Sequence, residues 1–211
     1  MLRDLFFNFG EKIDEFDFKV INERDARASA GIMFLFGILS IFSVFTLRTL
    51  LWVELFSLTF IFEFFIRTAI NPKYAPYMIL GSLFVSNQEP EWVEAKPKEF
   101  AWVLGMILGI FMTYFIVFDV VSPIRLITCL LCMLLLFLES AFGICLGCML
   151  YAKLNIKLNR CPGGVCEVSV KRKVKGAWLI LLLSIAFFSL IYYQLIEGRY
   201  AEVKRVIVIE G

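Results

Sequence analysis

Residues 29–47, SAGIMFLFGILSIFSVFTL, run without a charged side chain. Crossing the hydrocarbon core of a bilayer takes roughly 20 apolar residues of helix, so this stretch by itself commits the chain to a membrane. The pattern recurs: residues 50–66, 100–121, 124–151 and 177–196 are further apolar runs of spanning or near-spanning length. The chain is 60% hydrophobic and holds 23 Phe, against about 45–50% apolar for a soluble domain. The excess has to face lipid. The sequence predicts an all-α integral membrane protein with about five transmembrane helices.

The connections divide the chain further. Residues 1–27 place Leu2, Leu5, Phe6, Phe9, Ile13, Phe16 and Val20 at helical spacing opposite an acidic face, which predicts an amphipathic N-terminal helix on the membrane surface or on the ends of the bundle. The segment lacks the basic start and apolar centre of a signal peptide. Arg48-Thr49 leaves a tight connection, so 28–66 reads as a helical hairpin. Glu63 falls near enough to the membrane surface to be solvated, and Glu54 within reach of Arg48. Residues 67–99 form a cytoplasmic or interfacial segment punctuated by Pro72, Pro76, Pro90 and Pro97, each of which disfavours helix at the residue before it. Tyr77 to Val85 is apolar but too short to span, so it lies in the interface or against the bundle. Trp92, Phe100 and Trp102 read as an interfacial aromatic belt.

Residues 100–152 form a second hairpin turned at Ser122-Pro123. Gly105 with Gly109, and Gly143 with Gly147, have the G-x-x-x-G spacing that lets helices approach closely, which predicts that spans three and four pack on each other. Residues 153–176 are a basic, cysteine-rich connector. Residues 177–211 hold the fifth span and a tail whose VIVIEG ending reads as a strand. Sixteen Lys and Arg fall on the side of the N-terminus and the connector and five on the other. By the positive-inside rule the N-terminus and the cysteine-rich connector are cytoplasmic and the C-terminus is outside. The net charge is only +2. The expected partner is the bilayer, with no nucleic acid, and the chain is a candidate homo-oligomer or subunit of a membrane complex.

The chain contains no His, which removes the commonest general base and metal ligand and with it Ser-His-Asp, Cys-His and HExxH chemistry. The six cysteines carry the interest. Cys145, Cys148, Cys161 and Cys166 follow a C-x2-C, C-x4-C pattern. Cytoplasmic thiols stay reduced, so such a cluster reads as metal-binding or catalytic before it reads as a structural disulfide. As metal ligands, all four suit tetrahedral zinc, the one cofactor the sequence brings forward, and they could also hold iron. As redox groups, Cys145 and Cys148 gain from nearby Lys153, Lys157 and Arg160, because a basic surrounding favours the thiolate. Against this, read as one continuous fourth span, the C-x2-C sits at the C-terminal end of a helix, where the dipole opposes a thiolate. Glu139 stands within that span. A carboxylate there is costly and has to pair or stay neutral, which makes it the third candidate catalytic residue. Cys129 and Cys132 read as packed small side chains or as the far end of a relay about 20 Å from Cys145 along the helix.

INERDARASAG (21–31), PKEFAWVLG (97–105) and LESAFGICLGCMLY (138–151) resemble an uncharacterised bacterial membrane family, domain of unknown function 4395, over about residues 20–166. The CLGC box preceded by Glu and Phe-Gly is the most specific part. The resemblance implies a four-span pattern in the bacterial cytoplasmic (inner) membrane, to which the fifth span is an addition. It also implies thiol or sulfur chemistry with a thioredoxin-like or sulfurtransferase partner. Three readings stand: a thiol or persulfide redox or sulfur-relay protein, a scaffold with a four-cysteine zinc or iron site, and a small transporter of a sulfur-containing anion.

Overall fold

The computed structural model describes residues 9–13, 16–118, 123–154 and 176–210, with only the backbone of 177 and 199–210. Among the described residues, two short strands and seven α-helices follow one another. Strand β1 (Val20–Asn22) leads into α1 (Glu23–Leu47), and α2 (Leu51–Phe65) continues as a π-helical turn (Ile66–Ile70) and a 3-10 turn (Pro72–Tyr74). Helix α3 (Pro76–Phe84) precedes β2 (Trp92–Glu94), which runs into α4 (Ala95–Val117). Then come α5 (Pro123–Phe142), α6 (Leu146–Lys153) and α7 (Ala177–Glu210). Among the described residues, α1, α4, α5 and the Trp178–Gly198 part of α7 are long and apolar enough to cross a membrane. The all-helical membrane fold is as the apolar runs predict, with a small β ladder added.

Helix α2, 15 residues long, is the shortest of the expected spans, with α1, α4 and α7 packed against it. Phe56, Phe60 and Phe64 recur on one face and are buried, and the Phe60 and Phe64 rings stack at 4.5 Å. Gly105 and Gly109 of α4 sit directly against Phe64 and Phe60, where an added Cβ would come within 2.6 and 2.8 Å of the rings. Spans three and four do pack on each other, α4 against α5 and α6, but not through the α4 glycines as expected. The α4 glycines receive α2, Gly147 of α6 packs against Ala101 of α4, and Gly143 ends a helix. Helix α7 lies on the outside and touches α2 through Phe62 with Phe187 and Phe188.

Glu63 is fully buried rather than solvated. Its carboxylate accepts from Arg67 Nε and Nη2 at 2.8 and 2.7 Å and from the backbone N–H groups of Tyr77 and Met78 at 2.9 and 3.1 Å. It therefore binds two of the free N–H groups at the start of α3, where a negative charge is favoured. Arg67 also donates to Ser29 and lies over the Trp102 ring. This network ties α1, α2, α3 and α4 at one level.

The prolines begin helices instead of ending them. Pro72 and Pro76 occupy the first positions of their turns and Pro97 the first turn of α4, where a missing N–H costs nothing because it would have no intrahelical partner. Helix α4 consequently starts at Ala95, five residues before the expected span. The apolar run at 77–85 is α3, packed against α1 so closely that Gly81 meets the α1 backbone. A methyl group there would fall 2.8 Å from Ser29 N and 2.9 Å from Asp25 O. Neither backbone atom can yield without moving a helix. Gly81→Ala is expected to cost about 1–3 kcal/mol, the usual range for overpacking, read as a lower melting temperature in detergent; an unchanged melting temperature refutes the contact.

Two other expectations are corrected. The described part of the N-terminal segment, residues 9–13 and 16–22, is not an amphipathic helix: Glu11 bridges to Val20, and β1 follows. Its apolar positions are buried under the bundle end, Phe9 against Trp102 and Ile13 beside Val20 and Trp92. The end of the chain is not a strand either, since α7 runs through the VIVIE residues to Glu210.

Candidate functional site

The ladder of β1 and β2 builds one wall of the site. Val20, Ile21 and Asn22 pair antiparallel with Glu94, Val93 and Trp92, and each strand passes without a loop into its helix. This sets the first turns of α1 and α4 side by side. Asn22 caps α1, accepting from Arg24 N at 3.2 Å and from Glu91 N at 3.0 Å while donating to Asp25, the side-chain chemistry preferred at a helix start. Glu23 is then the first residue of α1, and Lys98 lies one turn into α4. The C-terminal end of α5 arrives at the same level and brings Glu139.

Lys98 is the centre of the arrangement. Only 3% of it is exposed, and its Nζ donates to Glu23 Oε1 and to Glu139 Oε1, each at 2.9 Å. A buried ammonium requires such partners. Glu139 thus meets the expectation that it must pair. Lys98 and Glu23 are the site residues that hydropathy and charge pattern alone do not single out. Two signals were available: both lie in the stretches INERDARASAG and PKEFAWVLG, and Lys98 immediately follows Pro97.

The CLGC box has a geometry that overturns the reading of one continuous span. Helix α5 stops at Phe142. Gly143 takes a left-handed φ of +66°, the conformation that commonly ends a helix and that glycine adopts without penalty, and its N–H and that of Ile144 reach back to the carbonyls of Glu139 and Leu138. Cys145 is extended and caps a new helix, α6, its Sγ accepting from Cys148 N at 3.4 Å. The C-x2-C therefore stands at a helix N-terminus, where the dipole favours a thiolate, and the objection drawn from a C-terminal position falls. Because Cys145 lies outside the helix, its Cβ is also free of the rigid i, i+3 geometry that would strain a disulfide within one.

The two sulfurs differ electrostatically. The hydrogen bond from the Cys148 thiol holds Cys145 below the ordinary thiol range, helped by Lys98 and opposed by burial and by Glu139. Cys148 is pushed well above that range because it is the donor in this bond, because it is buried, and because the Cys145 charge faces it. Of the two sulfurs, Cys145 is the one that gives up its proton more readily. Both cysteines line an open cleft of about 460 Å³ with Glu23, Glu94, Lys98 and Gly143.

Cys132 is buried in α5 and Cys129 half-buried beside it, both as free thiols. Cys132 and Cys145 line the same cavity. Cys161 and Cys166 of the four-cysteine metal reading lie outside the described residues, and among the described residues no group of three or more Cys, Asp and Glu comes together to hold an ion.

No curated protein and no solved structure matches the chain. A family model does match, over residues 21–155. That range runs from β1 through α6 and includes Glu23, Lys98, Glu139, Cys145 and Cys148, whereas α7 and the CPGGVC pair lie beyond it. The chain belongs to the family described as Domain of unknown function (DUF4395).

Proposed function

We propose that the chain is a membrane-embedded dithiol redox protein, in which Cys145 attacks and Cys148 resolves, exchanging electrons or sulfane sulfur with a soluble thioredoxin-like or sulfurtransferase partner. The observation that carries this reading is the placement of Cys145 as the cap of α6, facing the buried ion triad of Glu23, Lys98 and Glu139. A thiolate is the attacking species in thiol–disulfide exchange. The helix start and the Lys98 ammonium stabilise it, and the Cys148 thiol supplies the proton that a departing sulfur needs. The CPGGVC sequence carries a second cysteine pair, Cys161 and Cys166, outside the described residues. The excess of Lys and Arg orients the cleft toward the cytoplasm of a bacterial cell, where soluble dithiol partners are reduced and abundant.

The test is the pH profile of alkylation, followed site by site by mass spectrometry on reduced protein purified without chelator. Groups sharing the cleft with Cys145 or acting on it are Cys148 on α6, Glu23 on α1, Lys98 on α4, Glu139 on α5 and Glu94 on β2, with Arg27 of α1 beside Gly143. Because the Cys145 value is lowered, its thiolate persists to lower pH than in an ordinary thiol. Modification is expected at Cys145 first, with a midpoint below the ordinary value of about 8.5. Lys98→Met removes the favourable charge and leaves two carboxylates, so the midpoint moves up. Thiols that resist alkylation and release one tightly held zinc per chain on denaturation would establish the scaffold reading instead.

A further inference from the structure

The sulfur of this site stands between two chambers. Cys145 lines the cleft that holds Lys98 and Cys148, and it also lines a separate cavity of about 370 Å³ between α2, α4, α5 and α6. The second chamber is walled by side chains such as Phe60, Phe64, Leu108 and Leu135, with Cys132 within it and Glu139 beside Cys145. Leu104, Leu131, Leu146 and Leu150 line it and are also 38–46% exposed on the outside of the bundle. In a protein with this many exposed apolar side chains that outer surface faces lipid, so the chamber opens toward the membrane interior. One wall is Trp102, only 2% exposed, whose indole N–H has no hydrogen-bond partner among the described residues. That N–H is itself closed off from the chamber, so Trp102 contributes its apolar ring to the wall.

We propose that this chamber binds a lipophilic quinone, which accepts the two electrons released when Cys145 and Cys148 form a disulfide. The inference rests on the dithiol reading above and adds where the electrons go. The apolar walls and lipid-side mouth suit a hydrophobic ring and its tail. A saturated acyl chain would fill the same space without a use for the adjacent sulfur. The step balances: the Cys145 thiolate, the Cys148 thiol, the quinone and one proton give the disulfide and the quinol. One quinol hydrogen comes from the Cys148 thiol. The other comes from water in the cleft by way of the Lys98–Glu139 pair, which touches the cleft through Lys98 and the chamber through Glu139. A dithiol entering from the cleft then reduces the pair again.

The experiment uses the full chain, reduced, in detergent, with decylubiquinone as probe, because its fully substituted ring resists direct addition of thiols. Quinol formation is followed by absorbance and the disulfide by intact mass. One quinol per disulfide is expected. Leu131→Trp, at the mouth, is expected to slow this reaction on the order of tenfold. Oxidation by a water-soluble aromatic disulfide from the cleft side is the parallel measurement and the check on folding. Thiols that react with the soluble disulfide but not with the quinone, or a quinone reaction equally fast in Leu131→Trp, would overturn the quinone site and leave the dithiol reading standing. Failure with both oxidants would remove the dithiol reading itself.

Discussion

Glu63→Ala is expected to destabilise the bundle by about 3–5 kcal/mol, the cost of removing one partner from a buried ion pair. The reason is local. Arg67 is 1% exposed and, besides Glu63, has Ser29 and two aromatic faces within reach. Without Glu63 its charge remains in a medium that solvates it poorly, and the N–H groups of Tyr77 and Met78 lose their acceptor as well. Four helices meet at this point, so the loss is felt by the whole bundle. The measurement is thermal unfolding in detergent, with the double variant Glu63→Leu, Arg67→Met as control. Removing both charges together is expected to recover much of the loss, because an apolar pair of similar volume carries no desolvation penalty. A single variant that melts within one degree or two of the parent would show that the pair contributes little. The dithiol chemistry is a separate matter, since Glu63 lines neither the cleft nor the chamber.

The spans were legible because hydropathy reports what lipid requires, and α1, α4, α5 and α7 follow the apolar runs closely. What escaped the sequence are positions where one residue type serves two ends. Gly143 fits both a G-x-x-x-G contact and a helix terminator. Only the left-handed φ shows that it divides span four and so turns CLGC into a helix start. Pro97 can close one helix or open the next, and reading it as a breaker placed Lys98 in a loop, although Lys98 is the buried cation of the site. Glu63 reads as solvated from its place near the end of a span, and the sequence does not show that Arg67, four residues on, folds over it in the interior. Glu139 and the CLGC cysteines were found from the sequence, since a carboxylate and a cysteine pair in an apolar run stand out by chemistry alone. Their company of Glu23 and Lys98 depends on the β1–β2 ladder, a contact between residues some seventy positions apart, and local pattern carries no trace of it.

Cys145→Ser is expected to abolish thiol exchange while leaving the fold in place, and Cys148→Ser to stop the reaction half-way. Cys145 has two roles, sulfur nucleophile and cap of α6. Serine keeps the second, being among the preferred capping residues, and its hydroxyl can accept the Cys148 N–H as the Sγ does now. It loses the first, because a hydroxyl at neutral pH is a weak nucleophile without a strong base beside it, and the chain has no His to serve. The melting temperature should therefore hold or rise while reaction with a soluble disulfide falls to the level of the other cysteines. In Cys148→Ser the attacking sulfur survives but the thiol that would displace the bound sulfur is gone. A mixed disulfide on Cys145 should then accumulate with any soluble disulfide and persist until reductant is added, visible as an adduct in intact mass. The asymmetry is the informative part. A zinc site would treat the two cysteines alike, each variant losing metal and neither trapping an adduct. If adducts instead collect on Cys148 when Cys145 is replaced, the roles of the two sulfurs are reversed, and the capping geometry at α6 does not select the nucleophile.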